Sequence, residues 1–249
     1  MDATANEDAF EVIGAARPGP WIVSCDHASA RVPKDVAGGD LGLPPEEMGR
    51  HIAYDVGALG VALALGEALG APVIASRFSR LVIDPNRGED DPTLLMRLYD
   101  GTVIPANRRA DAAETERRLA RYHRPYHAAL GALMARPGAI LVAVHSFTPR
   151  LRSRAPRPWH VGVLSAADRR LADPLIARLE AEGDLIVGDN EPYAGHLPGD
   201  SVDRHALAHG RPNALLELRQ DLIAAPGDAA AWGARLAPIL EAARADARL

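Results

Sequence analysis

Two histidines each stand just past a short apolar run, and that repetition is the first chemical signal in the 249-residue chain. Residues 139–144 (AILVAV) lead into His145, and residues 21–25 (WIVSC) lead into Asp26 and His27. A short run of Val, Ile and Leu without alternation predicts a strand buried on both faces, as in the middle of a parallel sheet. Open α/β sheets bind ligands at the carboxyl ends of their strands. Alone, either imidazole would simply cap a strand. Two histidines and a carboxylate from separate strand ends, however, suit a catalytic zinc, which commonly takes three protein ligands and keeps a position for water. A second carboxylate, left unligated, can take the proton from that water. An arginine can hold a substrate carboxylate or steady an oxyanion.

Glu217 suits the base, because a glutamate inside an apolar run (ALLEL, 214–218) needs a partner or a raised pKa. The plain alternative is an ion pair with Arg219. Asp55 opens a stretch of small and apolar residues, 54–69, predicted to be a buried helix; a first-turn carboxylate there is also favoured by the helix dipole. His123 and His127 are four apart, a spacing that can chelate a metal on one helix face. Their segment lacks the glutamate of the zinc-protease motif, and Pro125 bends it, so a supporting or substrate-facing role for His127 is favoured. Cys25 with His27 is a possible nucleophile and base without an orienting third group. Ser24 and Ser146 lack the G-x-S-x-G elbow, and there is no Gly-rich phosphate loop.

The elements that must position these groups alternate. Strands are predicted at 21–25, 72–76, 79–83, 139–144, 159–164, 185–187 and 214–218, with helices at 54–69, 111–134 (broken near Arg124 by Pro125), 167–182 and 229–247. Residues 88–109 read as an extended loop, 150–158 as a basic, solvated loop, and 189–199 as a turn-rich loop bearing Tyr193 and His196. Alternation of this kind predicts a three-layer α/β sandwich on a mixed, mainly parallel sheet, in one domain spanning 1–249 with a partly disordered arm over 1–18. The apolar fraction of 47% and charged fraction of 24% are those of a soluble enzyme. A net charge of −5 gives no basic footprint for nucleic acid. Lys34 is the only lysine, so the cations are arginines, suited to bidentate recognition of carboxylates. The single cysteine fits a reducing cytoplasm, and neither a membrane span nor a signal peptide is expected.

Six ordered blocks carry a resemblance over about 21–223: SCDHAS (24–29) with Pro33, HIAYDVGA (51–58), SRLVIDPNR (79–87), YHRPYH (122–127), VHSFT (144–148) and ELRQDLI (217–223). Together they resemble the N-formylglutamate amidohydrolase family, related to the zinc carboxypeptidases and aspartoacylases. The resemblance implies a zinc-exopeptidase-like fold and a metal-dependent amidohydrolase. Its substrate would be a small N-acyl amino acid such as N-formyl-L-glutamate, cleaved to formate and glutamate. His27 and His145 resemble the metal-binding histidines. In relatives an acidic residue soon after the first histidine completes the set; here Ala30 occupies the position three after His27. Asp55 is the preferred replacement and Asp26 the alternative. Zinc is the expected ion, though such ligands also accept iron or cobalt. Glu217 resembles the general base, and Asn86 and Arg87 the pair that grips a substrate carboxylate, with an arginine, Arg87, steadying the oxyanion. Arg80, Arg204, Arg219 and His127 are further substrate-binding candidates, and Tyr193 a mobile cover. Alternatives are a carboxypeptidase or deacylase on another N-acyl amino acid or small peptide, and a non-catalytic carboxylate-binding module on the same fold. Oligomeric state is not legible.

Overall fold

The computed structural model describes residues 9–195 and 197–249. Among the described residues nine strands form: β1 (Phe10–Ile13), β2 (Trp21–Cys25), β3 (Val73–Ser76), β4 (Leu98–Tyr99), β5 (Thr102–Val103), β6 (Ile140–Phe147), β7 (Val161–Leu164), β8 (Val187–Asp189) and β9 (Asn213–Arg219). All but the β4–β5 pair belong to one seven-stranded sheet ordered β1-β3-β2-β6-β9-β7-β8. Its centre, β3-β2-β6-β9, is parallel; β1 and β7 join antiparallel, and β8 runs parallel to β7. The mixed, mainly parallel α/β sheet expected from the alternation of elements is the one formed.

Side-chain alternation assigns the two faces. On β6, Ile140, Val142 and Val144 pack with Trp21, Val23, Ala214 and Leu216 against the helices α2 (Ala58–Ala68), α6 (Ala172–Ala181) and α8 (Pro226–Asp246). Leu141 and Ala143 face the other way, toward Tyr126 and Leu130 of α5 (Arg124–Met134) and Val202 of α7 (Ser201–His205). His145 continues the second parity, so its ring emerges on the α5 side of the sheet. A third apolar cluster, around Phe78, Leu81, Ile83, Ile104 and Tyr122, anchors the 78–104 segment.

Several boundaries differ from expectation. β6 does not stop before His145: its ladder with β9 continues through His145–Glu217, Ser146–Leu218 and Phe147–Arg219, so the histidine lies inside the strand. Residues 79–83 form turns, because the Ser79 hydroxyl donates to the Ala53 carbonyl and accepts from the Leu81 N–H instead of leaving a ladder free. Asp55 precedes α2 rather than sitting in its first turn; Gly57 intervenes with φ 80°, where an added Cβ would lie 2.2 Å from the Ile223 carbonyl oxygen. The 88–109 stretch holds the β4–β5 hairpin and a short helix, α3 (Pro105–Arg108). The break at Pro125 takes the form of a π-helical turn, Leu119–His123, between α4 (Ala112–Arg118) and α5. A four-residue helix, α1 (Pro45–Met48), completes the set. Of the arm expected over 1–18, Phe10–Ile13 form the edge strand β1, while residues 1–8 lie outside the described residues.

Candidate metal centre and its cavity

Main-chain geometry brings the first pair of groups together. His27 follows β2, and the Asp55 N–H donates to the His27 carbonyl at 2.9 Å, locking the 27 and 55 segments side by side. β6 runs next to β2 in parallel, which delivers His145 to the same edge. The result is convergence on a single oxygen: Asp55 Oδ2 lies 3.2 Å from His27 Nδ1, 2.9 Å from His145 Nδ1 and 3.2 Å from the Ser146 N–H. One ligand atom from each of His27, Asp55 and His145 falls within 4.8 Å of the others, and all three residues are buried.

The far nitrogens fix the chemistry of the near ones. His27 Nε2 meets Asp84 Oδ1 at 2.7 Å, and His145 Nε2 meets Asp26 Oδ2 at 3.2 Å. A carboxylate can only accept, so each Nε2 carries the proton and donates it. The neutral ring then presents an Nδ1 lone pair to the Asp55 carboxylate. Two lone pairs facing an anion repel unless a positive charge lies between them: either protons on the rings or a cation. Backing of metal-bound histidines by carboxylates is the usual arrangement around a metal. The donor set therefore fits a divalent ion of the zinc type.

The aspartates behind the rings are themselves held. Burial pushes the Asp26 carboxyl up, but hydrogen bonds from His145 and from the Tyr126 hydroxyl outweigh it and keep it at about 2. Ser201 Oγ donates to the same Asp26 oxygen as Tyr126, at 2.9 Å. Burial likewise raises Asp84, and the Arg80 guanidinium, His27 and Arg87 overcome it and leave the carboxyl well below its ordinary range. Arg80 gives Asp84 Oδ2 two hydrogen bonds, of 3.0 and 2.7 Å, and stands 3.5 Å from Asp55 Oδ1. Asp55 is also raised by burial and lowered more strongly by the two histidines.

Glu217 is treated differently. From β9 it sits opposite His145 of β6 and Gly162 of β7, its Oε2 is buried with no partner among the described residues, and burial, reinforced by Asp55, pushes its carboxyl up to about 8. Gly162 is required there: an added Cβ would lie 2.0 Å from the Glu191 carbonyl oxygen and displace the 189–199 loop. A cavity of about 260 Å³ opens over these groups, lined by His27, Asp55, His145 and Glu217 on one side and by Arg80, Asn86, Arg87, Tyr99, Tyr193 and Asp200 on others. That size suits a small molecule. Arg87 spends Nε on Thr93 and Nη1 on the Asn86 carbonyl and has no carboxylate partner among the described residues. Asn86 accepts the Ser201 N–H at 3.3 Å through Oδ1, which leaves its amide N–H groups as donors. Tyr193 is 40% exposed at the cavity mouth, accepting from Arg157 Nη1 at 3.1 Å.

Other expected site residues are placed elsewhere. Arg204 does not line the cavity: its Nε donates to the Gly199 carbonyl, and its guanidinium lies 3.8 Å from Glu89. Arg219 also turns away, to Asp221 and to the carbonyls of Pro158 and Trp159, so the ion pair with Glu217 does not form. Asp26, the alternative ligand, stands behind His145 rather than beside its Nδ1. His127 does not line the cavity; its Nε2 donates to the Pro85 carbonyl at 2.9 Å and its Nδ1 accepts from His205 Nε2 at 3.0 Å. His123 Nε2 donates to the Arg87 carbonyl at 2.9 Å. The spaced pair thus braces both ends of the 85–87 turn, and the π-helical turn before α5 sets their phase. His196 lies outside the described residues. Asp84, Tyr126 and Ser201 were not singled out from sequence; Asp84 and Tyr126 stand inside the blocks quoted above, whereas nothing local marks Ser201.

Comparison with known proteins identifies the family. A model of the N-formylglutamate amidohydrolase family matches residues 19–224. An N-formylglutamate deformylase of Pseudomonas aeruginosa is 29% identical over 219 residues, covering 78% of this chain and 76% of the relative. The crystal structure of a gene product from Agrobacterium tumefaciens superposes with a TM-score of 0.90 at 34% identity, over 97% of each chain. An N-formylglutamate amidohydrolase from Ralstonia eutropha JMP134 shares the fold, with a TM-score of 0.70 at 23% identity over 94% of this chain and 98% of that one. Among the described residues no helix is long and apolar enough to cross a membrane. With the match running through all six motif blocks, the chain belongs to the N-formylglutamate amidohydrolase family, a family of hydrolases acting on amide bonds.

Proposed function

We propose that the chain hydrolyses the N-acyl amide of an acidic amino acid, with N-formyl-L-glutamate as substrate and formate and glutamate as products, using a divalent metal held by His27, Asp55 and His145. The observation that carries this reading is that Glu217, buried and with an Oε2 unpartnered among the described residues, lines the same cavity as His27, Asp55 and His145. Zinc is the ion the two imidazoles and one carboxylate favour, and when bound it would polarise the scissile carbonyl and acidify water.

The chain's own groups have separable tasks. Asn86 and Arg87 donate to the substrate carboxylate, Arg87 through the guanidinium face its neighbours leave free. Its remaining charge also favours an oxyanion developing nearby. Glu217 takes the proton of the attacking water and returns it to the leaving amine nitrogen, so that one carboxyl serves as base and then acid. Its burial makes it a strong enough base for the first task and a willing acid for the second. Arg80 offsets the charge of Asp84 and Asp55 and is spent on them rather than on substrate. Tyr193 and Arg157, whose guanidinium lies 5.0 Å from the Tyr193 ring centroid, cover the cavity mouth and exclude water. The test is release of glutamate from N-formyl-L-glutamate by zinc-supplemented protein. Turnover that Glu217→Gln abolishes supports the reading; no turnover by the parent protein rejects it.

A further inference from the structure

One buried carboxyl on the cavity wall takes no part in the proposed reaction. Asp200 lines the same cavity as Asn86, Arg87 and Glu217 and is only 6% exposed. Its Oδ1 caps α7 by accepting the Asp203 N–H at 2.7 Å, which holds the group in one orientation. Its Oδ2 has no hydrogen-bond or ion-pair partner among the described residues. Arg204, one turn further along α7, goes to the Gly199 carbonyl and toward Glu89 instead. Arg87 goes to Thr93 and the Asn86 carbonyl. An aspartate and an arginine therefore line one cavity without pairing with each other. Burial pushes the Asp200 carboxyl up to about 6, which still leaves it ionised at neutral pH. A buried carboxylate is costly unless a group donates to it.

Packing puts this carboxyl beside the pair that grips a substrate carboxylate. The Ser201 N–H, next in the chain, donates to Asn86 Oδ1 at 3.3 Å. Gly199 lies so close to Gly88 that an added Cβ would stand 2.7 Å from the Gly88 Cα. The 199–201 segment is thus seated on the 86–88 turn. Leu164, Leu197 and Leu215 give the same cavity an apolar surface suited to an alkyl stem. In an N-acyl amino acid the α-carboxylate and the side chain leave one carbon, so a carboxylate held by Asn86 and Arg87 starts the side chain near Asp200. A carboxylate can only accept. It selects a side chain that ends in a donor and disfavours one that ends in a second carboxylate. Arg80, the other cation on the cavity wall, is spent on Asp84 and Asp55 and leaves Asp200 uncompensated.

We propose that Asp200 is a specificity-determining residue that reads the substrate side chain, and that the preferred substrates are N-formyl amino acids whose side chain ends in a hydrogen-bond donor. N-formyl-L-glutamine is the simplest probe. The inference rests on the amidohydrolase reading above and narrows it: N-formyl-L-glutamate, matched in shape but anionic at its tip, becomes the slower of the two. The reaction consumes one water. The formyl C–N bond breaks, a C–O bond forms at the formyl carbon, and the amine nitrogen gains a proton, giving formate and glutamine.

The experiment compares kcat/KM at neutral pH for N-formyl-L-glutamine, N-formyl-L-glutamate and N-formyl-L-methionine, the last equally long but without a donor. In the zinc-loaded parent the glutamine substrate should exceed each of the others about tenfold, the worth of one charge-assisted hydrogen bond. Asp200→Asn keeps a capping side chain and removes the charge, and it should bring the glutamine-to-glutamate ratio to about one or below. Asp200→Ser, which also caps, repeats the comparison if the first variant fails to fold. Calorimetric titration of N-formyl-L-glutamine into Glu217→Gln protein should show about tenfold weaker binding once Asp200→Asn is added. A parent that cleaves glutamate or methionine substrates as well as glutamine overturns the role of Asp200 and leaves the amidohydrolase reading standing. A preference that survives both variants, equal losses on all three substrates, or unchanged binding also overturns it. Failure to cleave any of the three removes both readings.

Discussion

The protein holds two pairs of buried histidines, and the same ring does opposite work in each. His27 and His145, with ring centroids 5.0 Å apart, turn both Nδ1 atoms to Asp55 and both Nε2 atoms to aspartates. His123 and His127, 4.4 Å apart, turn both Nε2 atoms to main-chain carbonyls. Proton affinity follows the company. Burial lowers His145, but Asp26 and Asp55 outweigh it and raise the ring well above its ordinary range. At His123 and His127 burial prevails and both rings are lowered. Burial and spacing therefore do not tell a ligand from a brace. What each nitrogen faces does: acceptors converging on one point call for a cation, whereas single carbonyls call for a neutral donor.

Breaking the first pair should have the largest effect. His145→Ala is expected to lower kcat/KM for N-formyl-L-glutamate by more than ~10³-fold, since on the proposed reading a bound metal would supply several kcal/mol of transition-state stabilisation. Glutamate release measures it, and a variant within tenfold of the parent would make His145 a brace like the others. Glu217→Gln should lower kcat by ~10²–10⁴-fold with metal content unchanged by elemental analysis, because Glu217 faces the pair without joining it.

The surroundings of the second pair should answer to acid instead, through His205. Burial lowers His205, the donor to His127, to about 4. Its folded pKa thus lies below its unfolded value of ~6.5, so the unfolded chain binds more protons between these limits. Stability is then full above pH ~6.5 and falls as pH drops toward 4, by up to ~3 kcal/mol from this ring alone. Denaturant titrations across that range should show the slope, and His205→Gln should flatten it; an unchanged slope would remove the ring from the account. The smallest change is expected for His127→Leu, which frees the Pro85 carbonyl and loosens the Asn86–Arg87 turn. KM should rise about tenfold, as a positioning defect does, while zinc stoichiometry stays at the parent value. Loss of zinc there would erase the division between the pairs.

Much of this division was legible in the chain. The apolar runs before His27 and His145 announce buried neighbouring strands, and ALLEL marks Glu217 as a carboxyl with no water to dissolve it. The failures have a common physical cause, which is that facing direction is set by tertiary contacts. Arg204 and Arg219 are cations near the right blocks, but nearby carbonyls, Glu89 and Asp221 take up their guanidinium groups. Residues 79–83 are as apolar as a strand, yet Ser79 turns them. Asp26 and Asp55 are both buried carboxylates beside histidines. Only the ring orientation imposed by Tyr126, Ser201 and Asp84 separates the one behind His145 from the one facing both Nδ1 atoms.

That last distinction is open to direct measurement. Zinc bound per chain, by elemental analysis after equilibration and dialysis, should be one for the parent protein. It should fall to background for Asp55→Ala, whereas Asp26→Ala should retain the site with about 10–100-fold weaker affinity, the usual loss when a carboxylate behind a ligand is removed. A parent protein that holds no stoichiometric metal, or an Asp55→Ala variant that binds zinc as tightly as the parent, would contradict the assignment of His27, Asp55 and His145 as a metal centre.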